Sequence, residues 1–232
     1  GGKVGAAIFI FGSIITCALA LLISTPFSIA SAIFMTEISP GIGRKILQPA
    51  VEIFVGIPSV VYGWIGLTIL VPFIKDLFDL KFGFSVLSAG IVLAVMIYPT
   101  ITSLSADAIR SIPKSFRQAS YGLGATRWQT ISQVVIPASK SGLMTAIVLG
   151  LARAFGEALA VAMVIGKMKA FPESLLSPTT NLTAAIASDM GGAMEGSEYN
   201  IALWSMALLL FIISLVFIFI IHYISAKGGH KA

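Results

Sequence analysis

Two ionisable residues stand four positions apart inside an otherwise apolar run: Arg153 and Glu157, in LARAFGEALAVAMVIG (151–166). On a continuous helix such a pair shares one face, and Gly150 and Gly156 beside it permit close helix approach. A charge at the centre of a bilayer costs about 2.5–3.5 kcal/mol on insertion scales. Two charges persist there if they neutralise each other or line a wet path. The guanidinium is a planar fork that matches the oxygens of a tetrahedral oxyanion; Glu157 would hold that fork in place and keep an anion from binding too tightly. Two readings therefore stand, a self-neutralised pair that locks packing and an anion path. Glu52 is the other acid within an apolar run, just before Gly56-Ile57-Pro58-Ser59. Pro58 has no N–H and disturbs a helix. This is either a packing kink with Glu52 near the cytoplasmic interface, or a cavity faced by freed carbonyls and the Ser59 hydroxyl.

The elements that must position these residues follow from composition. The chain has 232 residues, 57% hydrophobic and 11% charged, with a mean hydropathy of +0.97. A soluble domain carries about 25% charged residues, so too little polar surface is present to coat a soluble globule. The apolar residues fall in runs of the length a helix needs to cross a bilayer, about 20 residues. Five stretches qualify: 4–35, 46–74, 84–105, 141–165 and 201–224. The second is interrupted by Pro49, Gly56, Pro58 and Pro72, and the third contains Pro99. None alternates as a barrel strand would, and in lipid the backbone must satisfy its own hydrogen bonds. The expected fold is an all-α, polytopic transmembrane helical bundle, a single transmembrane domain over 1–232.

The net charge of +5 sets orientation here and does not point to nucleic acid. With the loop at 106–140 on the cytoplasmic side, that side holds Arg44, Lys45, Arg110, Lys114, Arg117, Arg127, Lys140, Lys227 and Lys231. The other side holds Lys3, Lys75, Lys81, Lys167 and Lys169. This is the positive-inside bias. It places the C-terminus inside, the 166–200 loop outside and the first residue outside. The chain begins Gly-Gly-Lys without a signal-peptide pattern, so one further helix upstream is expected. Cys17 has no partner cysteine, His222 and His230 read as tail residues, and no Cys/His cluster has metal-ligand spacing. There is no GxxxxGK[ST] stretch and no nucleophile–base pair. No metal or cofactor is expected, and the chain reads as a non-enzyme.

The segment RQASYGLGATRWQTISQVVIP (117–137) mixes small residues with larger apolar ones. A short helix starts after Pro113 and breaks near Gly122–Gly124. A second runs from about Ala125 to Val135 and stops before Pro137. Small residues at the break allow close approach of another backbone, and Trp128 with Ile131 offers an apolar anchor at i, i+3. The segment is either a docking element for a soluble partner or an amphipathic helix on the headgroups.

This segment resembles the EAA loop of ABC importer permeases. Gln118-Ala119-Ser120 take the first three places, Gly124 falls on the Gly, Val134 and Ile136 take the Ile and Leu places, and Pro137 falls on the Pro. Gln118 departs from the usual Glu. The resemblance implies that this loop, with Ala125 and Trp128 inside it, docks into an ATPase subunit. IFMTEISP (33–40), VEIFVGIPSVVYGWIGL (51–67), RAFGEALAVAMVIG (153–166) and TNLTAAIA (180–187) are similar to the phosphate permeases of the Pst system, the last two to its PstC-type subunit. The resemblance implies a MetI-like fold with one more helix upstream and a PstA-type second permease. It also implies ATPase subunits on the cytoplasmic face, a phosphate-binding protein outside, and Arg153 and Glu157 on the phosphate path of a prokaryotic inner-membrane importer. Other classes to weigh are a molybdate or sulfate permease and an ion-driven secondary transporter. Asn181-Leu182-Thr183 matches a glycosylation sequon and is read as coincidence.

Overall fold

The computed structural model describes residues 5–229; Lys3, His230 and Lys231 lie outside them. The chain is almost entirely helical, and among the described residues the one β feature is an isolated bridge between Gly166 and Thr179. Helix α1 (Ala7–Ile33) continues through a π-helical turn, Phe34–Ile38. This span of 32 residues is about 48 Å long at 1.5 Å per residue, longer than a hydrocarbon core of about 30 Å. After the turns Pro40–Ile42 and Gly43–Leu47 come α2 (Gln48–Gly56), α3 (Ser59–Leu77) and α4 (Val86–Arg110). Then follow α5 (Lys114–Gly122), α6 (Arg127–Ala138), α7 (Lys140–Gly156) and α8 (Leu159–Val164), and finally α9 (Leu182–Asp189) and α10 (Glu198–Gly229).

Among the described residues, four helices are long and apolar enough to cross a membrane: Ala7–Ile38, Ser59–Leu77, Val86–Arg110 and Glu198–Ile224. A fifth results if α6 and α7, bent by 68° at Ser139, count as one. Large apolar side chains such as Trp64, Phe73, Trp204 and Phe219 are exposed along these helices. In water such a surface would aggregate; in lipid it is already solvated.

The chain forms two compact units. One comprises Gly1–Ile23, Ile57–Ile97 and Leu151–Val216. Its core includes Val86, Leu93, Ile97, Val161, Ile165, Leu182 and Leu203. The other comprises Ser24–Gly56, Tyr98–Gly150 and Phe217–Ala232. It is centred on Ala32, Ala106, Ile109, Val135 and Leu143, with Ser31 and Tyr98 sharing a hydrogen bond of 2.7 Å between their hydroxyls.

Three stretches depart from the sequence reading. The second span does not start at Ile46. It starts at Ser59, because Pro58 (φ −59°, ψ 142°) takes an extended conformation and ends the helical run begun at Gln48. The span expected over 141–165 is broken between Gly156 and Leu159. The helix expected to stop before Pro137 passes through it: Ile131–Val135 widens into a π-helical turn, with the Ile136 N–H donating to the Ile131 carbonyl, and a widened turn of this kind accompanies the proline within the helix. The 166–200 loop holds α9, whose N-cap Asn181 accepts from the Ala184 N–H at 2.8 Å; Asn181 is buried, which leaves the sequon no room for a sugar.

Candidate functional site

Arg153 lies in the last turn of α7, and Glu157 lies in the break beyond it. The two are therefore not on one face of a continuous helix, as their spacing suggested. The break has a local cause. Gly156 is a weak helix former with no side chain to pack. The Glu157 carboxylate accepts from the Ala160 N–H at 3.2 Å and so starts α8, a placement the helix dipole favours. The Thr183 hydroxyl, on α9, donates to the Glu157 carbonyl at 2.7 Å and holds the break from outside. Both ionisable residues are half-buried.

The α8 helix packs on the first turns of α3. A Cβ at Gly63 would lie 2.8 Å from Ala160 Cα and 2.6 Å from Met163 Sδ, and one at Gly66 would lie 3.0 Å from a Val164 methyl. The numbers rise together along both segments, so α3 and α8 run parallel; Gly63, four residues into α3, lies on Ala160, one residue into α8, so Ser59 stands about one turn before Leu159, at the level of the Gly156–Ala158 break. Tyr62, buried on α3, interacts electrostatically with Arg153. The structure thus brings together two helix breaks that the sequence left apart: Pro58–Ser59 and Gly156–Ala158, with Arg153 and Glu157 at the second. Glu52 has a different partner. Its carboxylate accepts from Gln48 Nε2 at 3.0 Å, and the Gln48 oxygen accepts from Arg110 Nη1 at 2.6 Å.

Because Gly63 is where α3 and α8 touch, Gly63→Val drives a wedge between them. Overpacking of this kind costs about 1–3 kcal/mol, so the thermal midpoint in detergent falls. Gly56→Ala, which would meet nothing within 4 Å, serves as the control. A Gly63→Val midpoint equal to the control would mean that the two segments are not in close contact.

The second candidate region is the hairpin α5–α6. Gly124 turns the chain with φ +81°, a conformation glycine alone adopts freely. Thr126 then caps α6 with a full capping box: its hydroxyl accepts from the Gln129 N–H at 3.2 Å and its own N–H donates to the Gln129 side-chain oxygen at 2.8 Å. Ser120 and Thr130, both buried, join the two arms through their hydroxyls at 2.9 Å. The apolar face left open comprises Phe116, Tyr121, Leu123 (90% exposed) and Trp128 (64%). Ile131 is 2% exposed: it belongs to the protein's own core, not to an anchor shared with Trp128. Gln118, Ala119 and Pro137 are exposed; Ala125 and Ile136 are half-buried.

Sequence reasoning counted Arg117 and Arg127, which hold this hairpin, only toward orientation, and gave their partner Glu37 no role. Arg117 donates to the Glu37 carboxylate from Nε at 3.1 Å and from Nη2 at 2.5 Å, and to the carbonyls of Ile112 at 2.9 Å and Ile109 at 3.0 Å. Arg127 Nη2 donates to the carbonyls of Glu37 and Ile38. Glu37 lay in a quoted block, IFMTEISP, but nothing in the sequence links it to an arginine 80 positions away.

On the 166–200 side, Lys169 pairs with Asp189 at 3.1 Å and donates to the Tyr199 hydroxyl at 2.7 Å, while Tyr199 donates to Asp189. The bond to Tyr199, with Asp189 adding to it, raises the Lys169 pKa above the ordinary lysine value. Burial pushes Asp189 up, but its bonds from Tyr199 and Lys169 outweigh this and hold its carboxyl below the usual range. The Asp189 contribution is lost as pH falls through that lowered value and the Lys169 contribution as pH rises through that raised one. The fastening of this loop to α10 is thus intact across neutral pH.

Comparison with known proteins gives a consistent picture. The model of the family described as "Binding-protein-dependent transport system inner membrane component" matches residues 24–228. A probable ABC transporter permease protein, YqgH, of Bacillus subtilis is 56% identical, over 97% of this chain and 73% of its own length. A phosphate transport system permease protein PstC of Haemophilus influenzae is 37% identical, over 90% of this chain and 72% of its own length. Among solved structures, an inward-facing MetNI methionine ABC transporter superposes with a TM-score of 0.69 at 19% identity, covering 96% of each chain, which shows the fold. The chain thus has the fold of a MetI-like multi-pass ABC importer permease and belongs to the family of binding-protein-dependent transport system inner membrane components, with PstC-type permeases among its relatives.

Proposed function

We propose that this chain is one permease half of an ATP-driven phosphate importer of a prokaryotic cytoplasmic membrane, acting as a single permease domain. The observation that carries the reading is Arg153 in the turn before the Gly156–Ala158 break, which lies level with the start of α3 at Pro58–Ser59. Broken spans place helix starts, with their positive dipole ends, where an anion crosses. Arg153 adds a planar donor fork to them, and Glu157 and Ser59 stand at the same breaks. That several curated relatives over most of the chain are named PstC phosphate permeases supports phosphate as the anion.

The hairpin from Gln118 to Pro137 is the docking element for an ATPase subunit, which supplies the hydrolysis this chain does not perform. Its exposed Tyr121, Leu123 and Trp128 around the Gly124 turn suit burial in a partner's cleft. A PstA-type permease completes the path, and a phosphate-binding protein delivers the anion from outside. The purified chain, taken from its native membrane, brings an ATPase subunit and a second permease with it; a preparation repeatedly free of any ATPase overturns this class.

The charge distribution supports the orientation. Arg44, Lys45, Arg110, Lys114, Arg117, Arg127, Lys140 and Lys227 fall in one compact unit, and Lys75, Lys81, Lys167 and Lys169 in the other. The positive-inside rule then puts the hairpin in the cytoplasm and the 166–200 loop outside. Exposed positions Gln133 and Met194, converted singly to cysteine in a Cys17-free background, react with an impermeant thiol reagent from opposite sides. Reaction from the same side contradicts the orientation.

A further inference from the structure

The two arms of the hairpin hold on to a single point elsewhere in the same compact unit. From α5, Arg117 grips the Glu37 carboxylate through two of its nitrogens. From α6, Arg127 binds the backbone carbonyls of Glu37 and Ile38. A single contact would let the hairpin pivot; contacts from both arms on two adjacent residues resist rotation as well as separation. The hairpin is itself braced by the Ser120–Thr130 bond between its arms. Glu37 closes the π-helical turn Phe34–Ile38, the cytoplasmic-type end of α1, a helix otherwise unbroken from Ala7. The side chains of Glu37 and Arg117 are 9% and 19% exposed, so salt screens their pairing little.

Covalently the hairpin reaches the spans in two places only, through Ile112–Pro113 to α4 and through Ser139 to α7, where the chain bends by 68°. We propose that Glu37 is a positioning residue that couples the hairpin to α1: displacement of the hairpin is transmitted to the first span through the Glu37–Arg117 pair and the Arg127 contacts. This rests on the reading of the hairpin as the ATPase dock. The carboxylate fixes the arginine and Glu37 belongs to the last turn of the first span, so that span moves with the hairpin although some 80 residues of chain separate them.

The test is made on the assembled importer in vesicles, reading ATPase retained, ATP hydrolysed and phosphate taken up. Glu37→Gln keeps the ATPase in the complex and keeps hydrolysis, while phosphate carried per ATP falls about tenfold. Glu37→Asp, which retains the charge, restores at least about half of the wild-type ratio. Arg127→Ala, an exposed position, lowers the ratio about threefold without loss of assembly. An unchanged ratio in Glu37→Gln overturns the proposal, as does a loss of uptake that only follows loss of complex in Glu37→Gln and Glu37→Asp alike. If Glu37→Gln does not assemble, Arg127→Ala decides, and an unchanged ratio there overturns it. A wild-type chain that retains no ATPase instead refutes the docking reading on which the proposal rests, a result distinct from uncoupling in a complex that does form.

Discussion

Replacing Arg153 and Glu157 together by glutamine leaves a protein that inserts and assembles but does not carry phosphate. Removing both charges relieves two insertion costs and leaves no orphan charge in the span, so folding is spared. What is lost is the charge-assisted fork. Hydrogen bonds to charged groups contribute about 1.5–3 kcal/mol each, which converts to roughly 10- to 100-fold in uptake for one such bond and more for two. Arg153→Lys is the finer probe. It keeps the charge and loses the planar donor pair, so a path role gives a large loss at matched assembly and a pure charge role a small one. Glu157→Gln alone is mild, because the amide still offers an oxygen to the Ala160 N–H that the carboxylate now accepts from. Near-normal uptake by the double variant would leave both residues as structural ones.

Gly124→Trp, in the hairpin, has an effect of similar size. The φ of +81° makes any side chain there strained, by about 1–2 kcal/mol, yet a Cβ would meet nothing of this chain within 4 Å. The variant therefore folds and inserts. Its indole projects beside Tyr121, Leu123 and Trp128, the exposed face proposed to dock the ATPase. ATPase retained on purification falls by an order of magnitude or more, and uptake falls with it. Gly124→Ala carries the backbone strain without the bulk and lies between wild type and Gly124→Trp. Normal retention and uptake in Gly124→Trp would mean that the hairpin is not the coupling element.

How much of this was legible in the sequence depended on the range of the signal. Long apolar runs gave the helices of 7–38, 86–110 and 198–224 with boundaries shifted by only a few residues, since length and apolar content are local properties. The hairpin was also legible: Pro113 and Gly122–Gly124 are read within a few positions, whereas the Thr126–Gln129 box that starts α6 was not singled out. The break at Gly156–Ala158 was not. A six-residue segment and a 17-residue one, both apolar, look like one span when hydropathy is averaged, and only the bonds from Ala160 and Thr183 to Glu157 divide them. Tertiary pairs were invisible for the same reason. Nothing in 33–40 says that Glu37 faces Arg117, or in 59–66 that Gly63 lies on Ala160. The candidate site residues were therefore found individually, while their arrangement around two helix starts emerged only from the fold.

The central claim, that ATP drives phosphate through a path this chain helps to form, is tested most directly by uptake into proteoliposomes. They contain this chain, its second permease and the ATPase subunits, with the binding protein added outside and ATP trapped inside. Labelled phosphate accumulates only when ATP is present, excess sulfate or molybdate does not compete, and the Arg153→Gln with Glu157→Gln variant abolishes the signal. Accumulation of sulfate or molybdate in place of phosphate, or phosphate uptake driven by an ion gradient without ATP, would contradict it.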